Sequence, residues 1–176
     1  MTRTPSLPIR SSTAIAVAIV LAFAAGRGSD RLLARQAATA TPVMPVVRQA
    51  LVTALPPEAR GYELQLIRYE IPPGTMLPPH THPGTQAAFI ESGTLHYAVV
   101  RGGEVPVYRK GAKDRPGPVE MVRPGQEVEL HAGDTAVEEE RVVHFGGNRS
   151  EKPIVIWVAA LLKQGAPAAT VREAGE

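Results

Sequence analysis

His80 and His82 stand one residue apart in "PPHTHPGTQ", and a third histidine, His144, lies in "ERVVHFGGN". The chain has five histidines among 176 residues and no cysteine. Imidazole nitrogens suit Fe, Cu, Zn, Ni or Mn, and without cysteine a metal must be held by His, carboxylate, amide or water. Residues at i and i+2 of an extended strand point to one side, so His80 and His82 can aim into one cavity. Gln86, four positions beyond His82, keeps that parity if the strand continues without a bulge. An antiparallel barrel brings distant strands together, which would set His144 on the same concave wall.

Such side chains need strands to hold them. Pro and Gly are abundant, at 17 and 16, and the apolar residues favour Val and Ile in short runs, which suits a sheet protein rich in turns. "VVRQALVTAL" predicts an edge strand or short helix, and "YELQLIRYEI" alternates apolar and polar residues, with Leu64, Leu66 or Ile67 and Tyr69 or Ile71 available to face inward. "QAAFIE" and "TLHYAVV" read as strands joined at "SG", and "RGGE" (101–104) as a hairpin signal. "VPVYR", "VEMV", "EVEL", "TAVEEE", "RVVHF" and "IVIWVAALL" follow. Roughly ten short strands without an amphipathic helix predict an all-β domain, a closed barrel or a two-sheet sandwich. It spans residues 47–163, and the basic stretch 109–118 reads as a mobile loop. Residues 164–176 are small and polar, and are expected to be a disordered tail.

With those elements in order, the chain resembles the cupin superfamily. The first cupin motif is a Gly, five residues, His-x-His, three or four residues, Glu, six residues and Gly. Gly74, His80, His82 and Gly93 stand at those places, with Gln86 at the Glu position. The second motif is a Gly, five residues, Pro-x-Gly, two residues, His, three residues and Asn. Gly133, His144 and Asn148 match it, with Glu139 and Arg141 where Pro and Gly would stand, and "HAGDT" (131–135) is its usual lead-in. The resemblance covers roughly residues 60 to 162. It implies a single antiparallel β-barrel of the jelly-roll type, often dimeric, with a divalent metal in its mouth. It also implies His80, His82 and His144 as ligands and Gln86 as a fourth. A neutral amide binds a cation more weakly than a carboxylate and leaves the site more cationic. One of Glu138, Glu139 and Glu140, in the turn before His144, is the nearest substitute; Glu91 has the wrong parity for it.

His96, Phe89, Tyr97 and Glu139 are further candidates to line a ligand pocket, although strand aromatics are most simply core and charged runs most simply solvated. Asn148 reads as a residue that bridges a turn. The N-terminus belongs elsewhere. Arg3 and Arg10 precede an uncharged stretch from Thr13 to Ala25, the pattern of a secretory signal over residues 1–26, followed by a flexible lead-in over 27–46. A secreted or periplasmic domain is expected, touching a membrane only through an uncleaved signal segment. Of 19 basic and 17 acidic side chains, five Arg and one Asp lie in the first 40 residues, leaving 14 against 16. The basic balance of the whole chain is thus no sign of nucleic-acid binding. No phosphate loop, nucleophile elbow or Cys/His pair is present. The expected partner is a small molecule. The expected function is metal-dependent chemistry, of dioxygenase or isomerase type, or else non-catalytic capture of a ligand or metal.

Overall fold

The computed structural model describes residues 45–112, 115 and 117–173. The expected signal segment and nearly all of the lead-in lie outside the described residues. Among the described residues every regular element is a strand. In chain order these are β1 (Val47–Ala54), β2 (Tyr62–Ile71), β3 (His80–Thr81), β4 (Gly84–Ser92), β5 (Thr94–Arg101) and β6 (Val105–Tyr108). They continue with β7 (Val119–Val122), β8 (Glu127–His131), β9 (Thr135–Glu138), β10 (Val143–Gly147), β11 (Ile154–Lys163) and β12 (Thr170–Val171). One sheet has the order β1-β2-β11-β4-β9-β6-β7, the other β12-β3-β10-β5-β8.

From β3 to β12 successive strands alternate between the two sheets, except that β6 and β7 pair with each other. This is the jelly-roll arrangement expected of an all-β chain with short strands. It bears out the join at "SG" and corrects the hairpin reading of "RGGE". "SG" joins β4 to β5, and "RGGE" joins β5 to β6, but in each case the chain crosses to the opposite sheet and makes no hairpin. Gly102 and Gly103, both at positive φ, bend the chain through that crossing.

The core lies between the sheets. In β11, Ile154, Ile156, Val158, Ala160 and Leu162 are buried, while the intervening residues point outward. In β2 the buried face is Ile67 and Ile71 with Gln65. Leu64 and Leu66 are turned outward, where Phe89 is also exposed at 42%. Gln65 is tolerated inside because Arg48 Nη2 donates to its side-chain oxygen at 2.7 Å. Each fully buried Ile contributes about 1.5–3 kcal/mol.

Two segments expected to be mobile are anchored at described residues. Asp134, in the "HAGDT" turn, accepts from the backbone N–H of His131 and Lys110 and from Arg109 Nη1, at 2.7–2.9 Å. Burial works against its charge, but these donors win and hold its carboxyl below the ordinary value. Both ends of the 109–118 loop are therefore anchored, with Arg109 N–H also donating to the Pro118 carbonyl. The expected disordered tail is ordered through Glu173. Thr170 and Val171 pair with Thr81 and His80, adding an edge strand beside β3.

Gly84 opens β4 where the backbone of β11 comes close; a Cβ there would run into the Leu161 carbonyl oxygen. Gly84→Ala is expected to destabilise the fold by about 3 kcal/mol. Thermal unfolding followed by circular dichroism should show Tm lower by about 10 °C; an unchanged Tm would mean that β4 and β11 do not meet this closely.

Candidate metal centre

The local fold explains how three histidines converge. The residues "PPHTHPG" make only a two-residue strand, β3, before Pro83 sends the chain to the other sheet. The expected continuous strand through Gln86 is thus broken, yet His80, His82 and Gln86 all end up buried in the interior. His144 lies directly opposite His80 in the β3–β10 ladder. The imidazole centroids are 4.5 Å apart for His80–His144, 4.9 Å for His80–His82 and 5.2 Å for His82–His144. One ligand atom from each ring lies within 4.8 Å of the others.

The other ring nitrogens are spoken for. His80 Nδ1 sits 2.8 Å from the Pro78 carbonyl, His82 Nδ1 2.7 Å from the Ala168 carbonyl and His144 Nδ1 3.4 Å from the Val142 carbonyl. A carbonyl can only accept, so each Nδ1 donates its proton and each Nε2 keeps a free lone pair. Backbone carbonyls that orient imidazoles in this way are what metal-binding histidines require. Burial, followed by the charge of His144, lowers the His80 pKa to about 4, and burial also lowers that of His82. Both rings are therefore neutral at pH 7. The donor set fits a divalent cation.

The opposite sheet contributes two more polar groups. Gln86 and Glu138 face each other in the β4–β9 ladder, and Gln86 Nε2 donates to Glu138 Oε2 at 2.6 Å. Glu138 ends β9 and is buried, with Oε1 3.3 Å from His144 Nε2 and Oε2 3.6 Å from His82 Nε2. Burial alone would raise its carboxyl pKa; the imidazoles of His144 and His82, with the Gln86 amide, hold it below the ordinary value. Gln86 thus orients Glu138 through its amide nitrogen.

Above this cluster opens a cavity of about 290 Å³, walled by apolar side chains such as Leu77, Leu95, Ile156 and Val158. Tyr97 lines it and stacks on His144, with centroids 5.4 Å apart and planes at 28°. Its hydroxyl is buried near Glu138 but has no hydrogen-bond partner. Burial first, and the Glu138 charge second, push the phenol well above its ordinary pKa, so it stays a donor.

Of the four candidate pocket residues, only Tyr97 lines this cavity. His96 is buried on the far side of its strand, where its Nε2 lies 3.1 Å from Glu127, off the hydrogen-bond direction. Phe89 is on the outer sheet face and Glu139 is exposed in the turn after β9. Glu140 pairs with Lys163 at 2.5 Å. Period-two alternation carries the signal for Glu138: in "TAVE" it shares a face with Ala136, a core residue. A residue that the sequence does not disclose is Ala168, whose carbonyl reaches His82 from a segment read as a loose tail. Asn148 bridges a turn as expected, donating to the Ile71 and Lys152 carbonyls and accepting from Ser150.

A family model described as Cupin matches residues 32–169, well over half of the chain. The chain is a cupin. Solved structures of similar shape include a cupin superfamily protein from Desulfitobacterium hafniense, 11% identical over 67% of this chain and 78% of that one, with a TM-score of 0.43. A cupin 2 domain-containing protein from Halorhodospira halophila is 14% identical, covering 74% and 72%, with a TM-score of 0.46. An oxalate decarboxylase from Lactobacillus farciminis, in complex with formate, is 18% identical over 61% of this cupin, with a TM-score of 0.41; the cupin spans 26% of its length. No curated protein matches the chain.

The C-terminal segment is part of this centre. Ala169 and Val171 rim the cavity, and Arg172 N–H donates to the Pro79 carbonyl beside His80. Removing residues 164–176 should leave the sheets folded, since β12 contributes two residues, but free the His82 ring. Metal affinity is expected to fall by roughly tenfold, measured by calorimetric titration of the truncated and full chains; equal affinities would deny the segment any role at His82.

Proposed function

We propose that this cupin is an exported protein that holds a divalent metal through His80, His82 and His144 and receives a small, largely apolar molecule in the cavity above it. The observation that carries this reading is the convergence of three free Nε2 lone pairs at the floor of an apolar cavity. Its volume lies at the low end of the range for small-molecule sites, about 300–1,000 Å³. When bound, the metal would supply Lewis-acid or redox chemistry, and three protein nitrogens leave coordination positions for exogenous ligands. Dioxygenase-type turnover is the subclass that an open three-histidine site supports best. The chain's own residues then have plain tasks. Leu77, Leu95, Ile156 and Val158 exclude water and bind the apolar part of the ligand, and the Tyr97 hydroxyl donates a hydrogen bond to an oxygen on it. The basic, then apolar, N-terminal stretch supports export.

One observation favours capture without turnover as the second reading. Apart from the histidines, the ionisable side chains lining the cavity are Glu138, Tyr69 and Tyr97. Glu138 is engaged with Gln86, so no uncommitted carboxylate stands ready to move a proton.

The test is elemental analysis of the full chain, expressed without a histidine tag, beside the His80→Ala/His82→Ala variant. About one ion per chain in the wild type, lost in the folded variant, is the expected result. A folded wild type that takes up no Fe, Mn, Ni, Cu or Zn would sink the reading. Oxygen uptake with small phenols, thiols or keto acids then separates turnover from capture: the dioxygenase reading expects uptake that His144→Ala abolishes.

A further inference from the structure

Resting on that metal-binding reading, we infer that Glu138 supplies the carboxylate that the first cupin motif lacks at Gln86, so that the centre comprises His80, His82, His144 and Glu138. The carboxylate has moved across one ladder. Gln86 and Glu138 are direct partners in adjacent antiparallel strands, and the Cβ atoms of such partners are about 4.5–5.5 Å apart. Two side chains of equal length in these positions can reach the same interior point, so charge is exchanged between strands without leaving the site.

Three features distinguish a ligand from a carboxylate merely buried nearby. Its two oxygens are divided between two imidazoles, Oε1 at 3.3 Å from His144 Nε2 and Oε2 at 3.6 Å from His82 Nε2. Those separations are longer than charge-assisted hydrogen bonds, about 2.7–2.9 Å for N⁺–H···O⁻ pairs. They lie near the spacing of two donors sharing one ion: ligands about 2.1 Å from a common metal at 90–110° stand roughly 3.0–3.4 Å apart. At these separations the carboxylate and the two imidazoles are neighbours without a hydrogen bond between them.

The second feature is charge. Among the described residues, the basic groups within ion-pair distance of this buried carboxylate are the imidazoles of His82 and His144, with no Lys or Arg, and an imidazole that turns a free Nε2 lone pair towards it supplies no cation. A buried carboxylate is stable when it is paired with a cation or coordinates a metal. The third is orientation. Gln86 Nε2 donates to Oε2 at 2.6 Å, the kind of hydrogen bond that fixes a ligating carboxylate in place. Gln86 thus acts as a positioning residue.

The experiment titrates Co(II) into metal-free full-length wild type, Glu138→Gln and the exchanged double variant Gln86→Glu/Glu138→Gln, with affinity from calorimetry and the Co(II) absorption spectrum as a second readout. Thermal unfolding of the metal-free forms checks the fold. Glu138→Gln is expected to weaken Co(II) binding on the order of 100-fold and to alter the spectrum, and the exchanged variant to recover most of the affinity. Should Glu138→Gln fail to fold, Glu138→Asp carries the same test by withdrawing the carboxylate one methylene, with about a tenfold loss expected. Wild-type affinity and spectrum in folded Glu138→Gln, or in Glu138→Asp, would overturn the role of Glu138 and leave the three-histidine reading standing. An exchanged variant as weak as Glu138→Gln would overturn the ladder exchange. A folded wild type that binds no Co(II) would remove both readings together.

Discussion

The carboxylate of Glu138, buried against imidazoles, is the constraint on which the interior depends. Desolvating an ionised carboxylate costs several kcal/mol; the Gln86 amide donates to it and offsets part of that cost, and the rings of His82 and His144 stand beside it. Each of those groups has its own anchor. Gln86 is set by the β4–β9 register, His144 by its pairing with His80, and His82 by the Ala168 carbonyl. Two cross-strand pairs, one from each sheet, are thus pressed face to face. Neither sheet could hold this cluster alone.

Strand alternation between sheets makes that possible. Because each strand from β8 onward enters the sheet opposite its predecessor, β9 and β10 are neighbours in sequence but lie on opposite walls. Glu138 and His144, six residues apart, therefore approach across the interior and not along a ladder. The crossing at Pro83 does the same for His82 and Gln86. The apolar wall above the cluster then lowers the local dielectric, which strengthens every charge interaction at the floor. The Tyr97 hydroxyl, buried beside Glu138, gives this wall a polar group with hydrogen-bonding capacity.

Much of this was legible in the chain, for physical reasons. His80 and His82 share a spacing that survives even in a two-residue strand, and the offsets of His144 from Gly133 and Asn148 are those of a second motif. Inward and outward residues in β11 follow from alternation alone. What stayed hidden needs pairing information. "RGGE" has hairpin chemistry, and only the sheet order reveals a crossing. The "QGAPAATVRE" tail lacks the apolar pattern of a strand, because it is held by backbone bonds to β3 and by Arg172. Phe89 looked like a pocket residue only while the face of β4 was undecided.

Glu138 shows why a motif read by position undercounts a site. In a ladder, the positions that can reach one interior point include residues i and j on facing strands, and j stands far away in sequence when the strands are distant. Here the separation is 52 residues. The electrostatics of the cavity depend on the sum of charges at that point and not on which backbone carries them. A glutamine at the motif position and a glutamate opposite it give the interior the same formal charge as the reverse arrangement. They differ in which strand carries the charge. Ladder geometry therefore leaves the identity of the carboxylate open while fixing its charge, and the sequence records only the first of these.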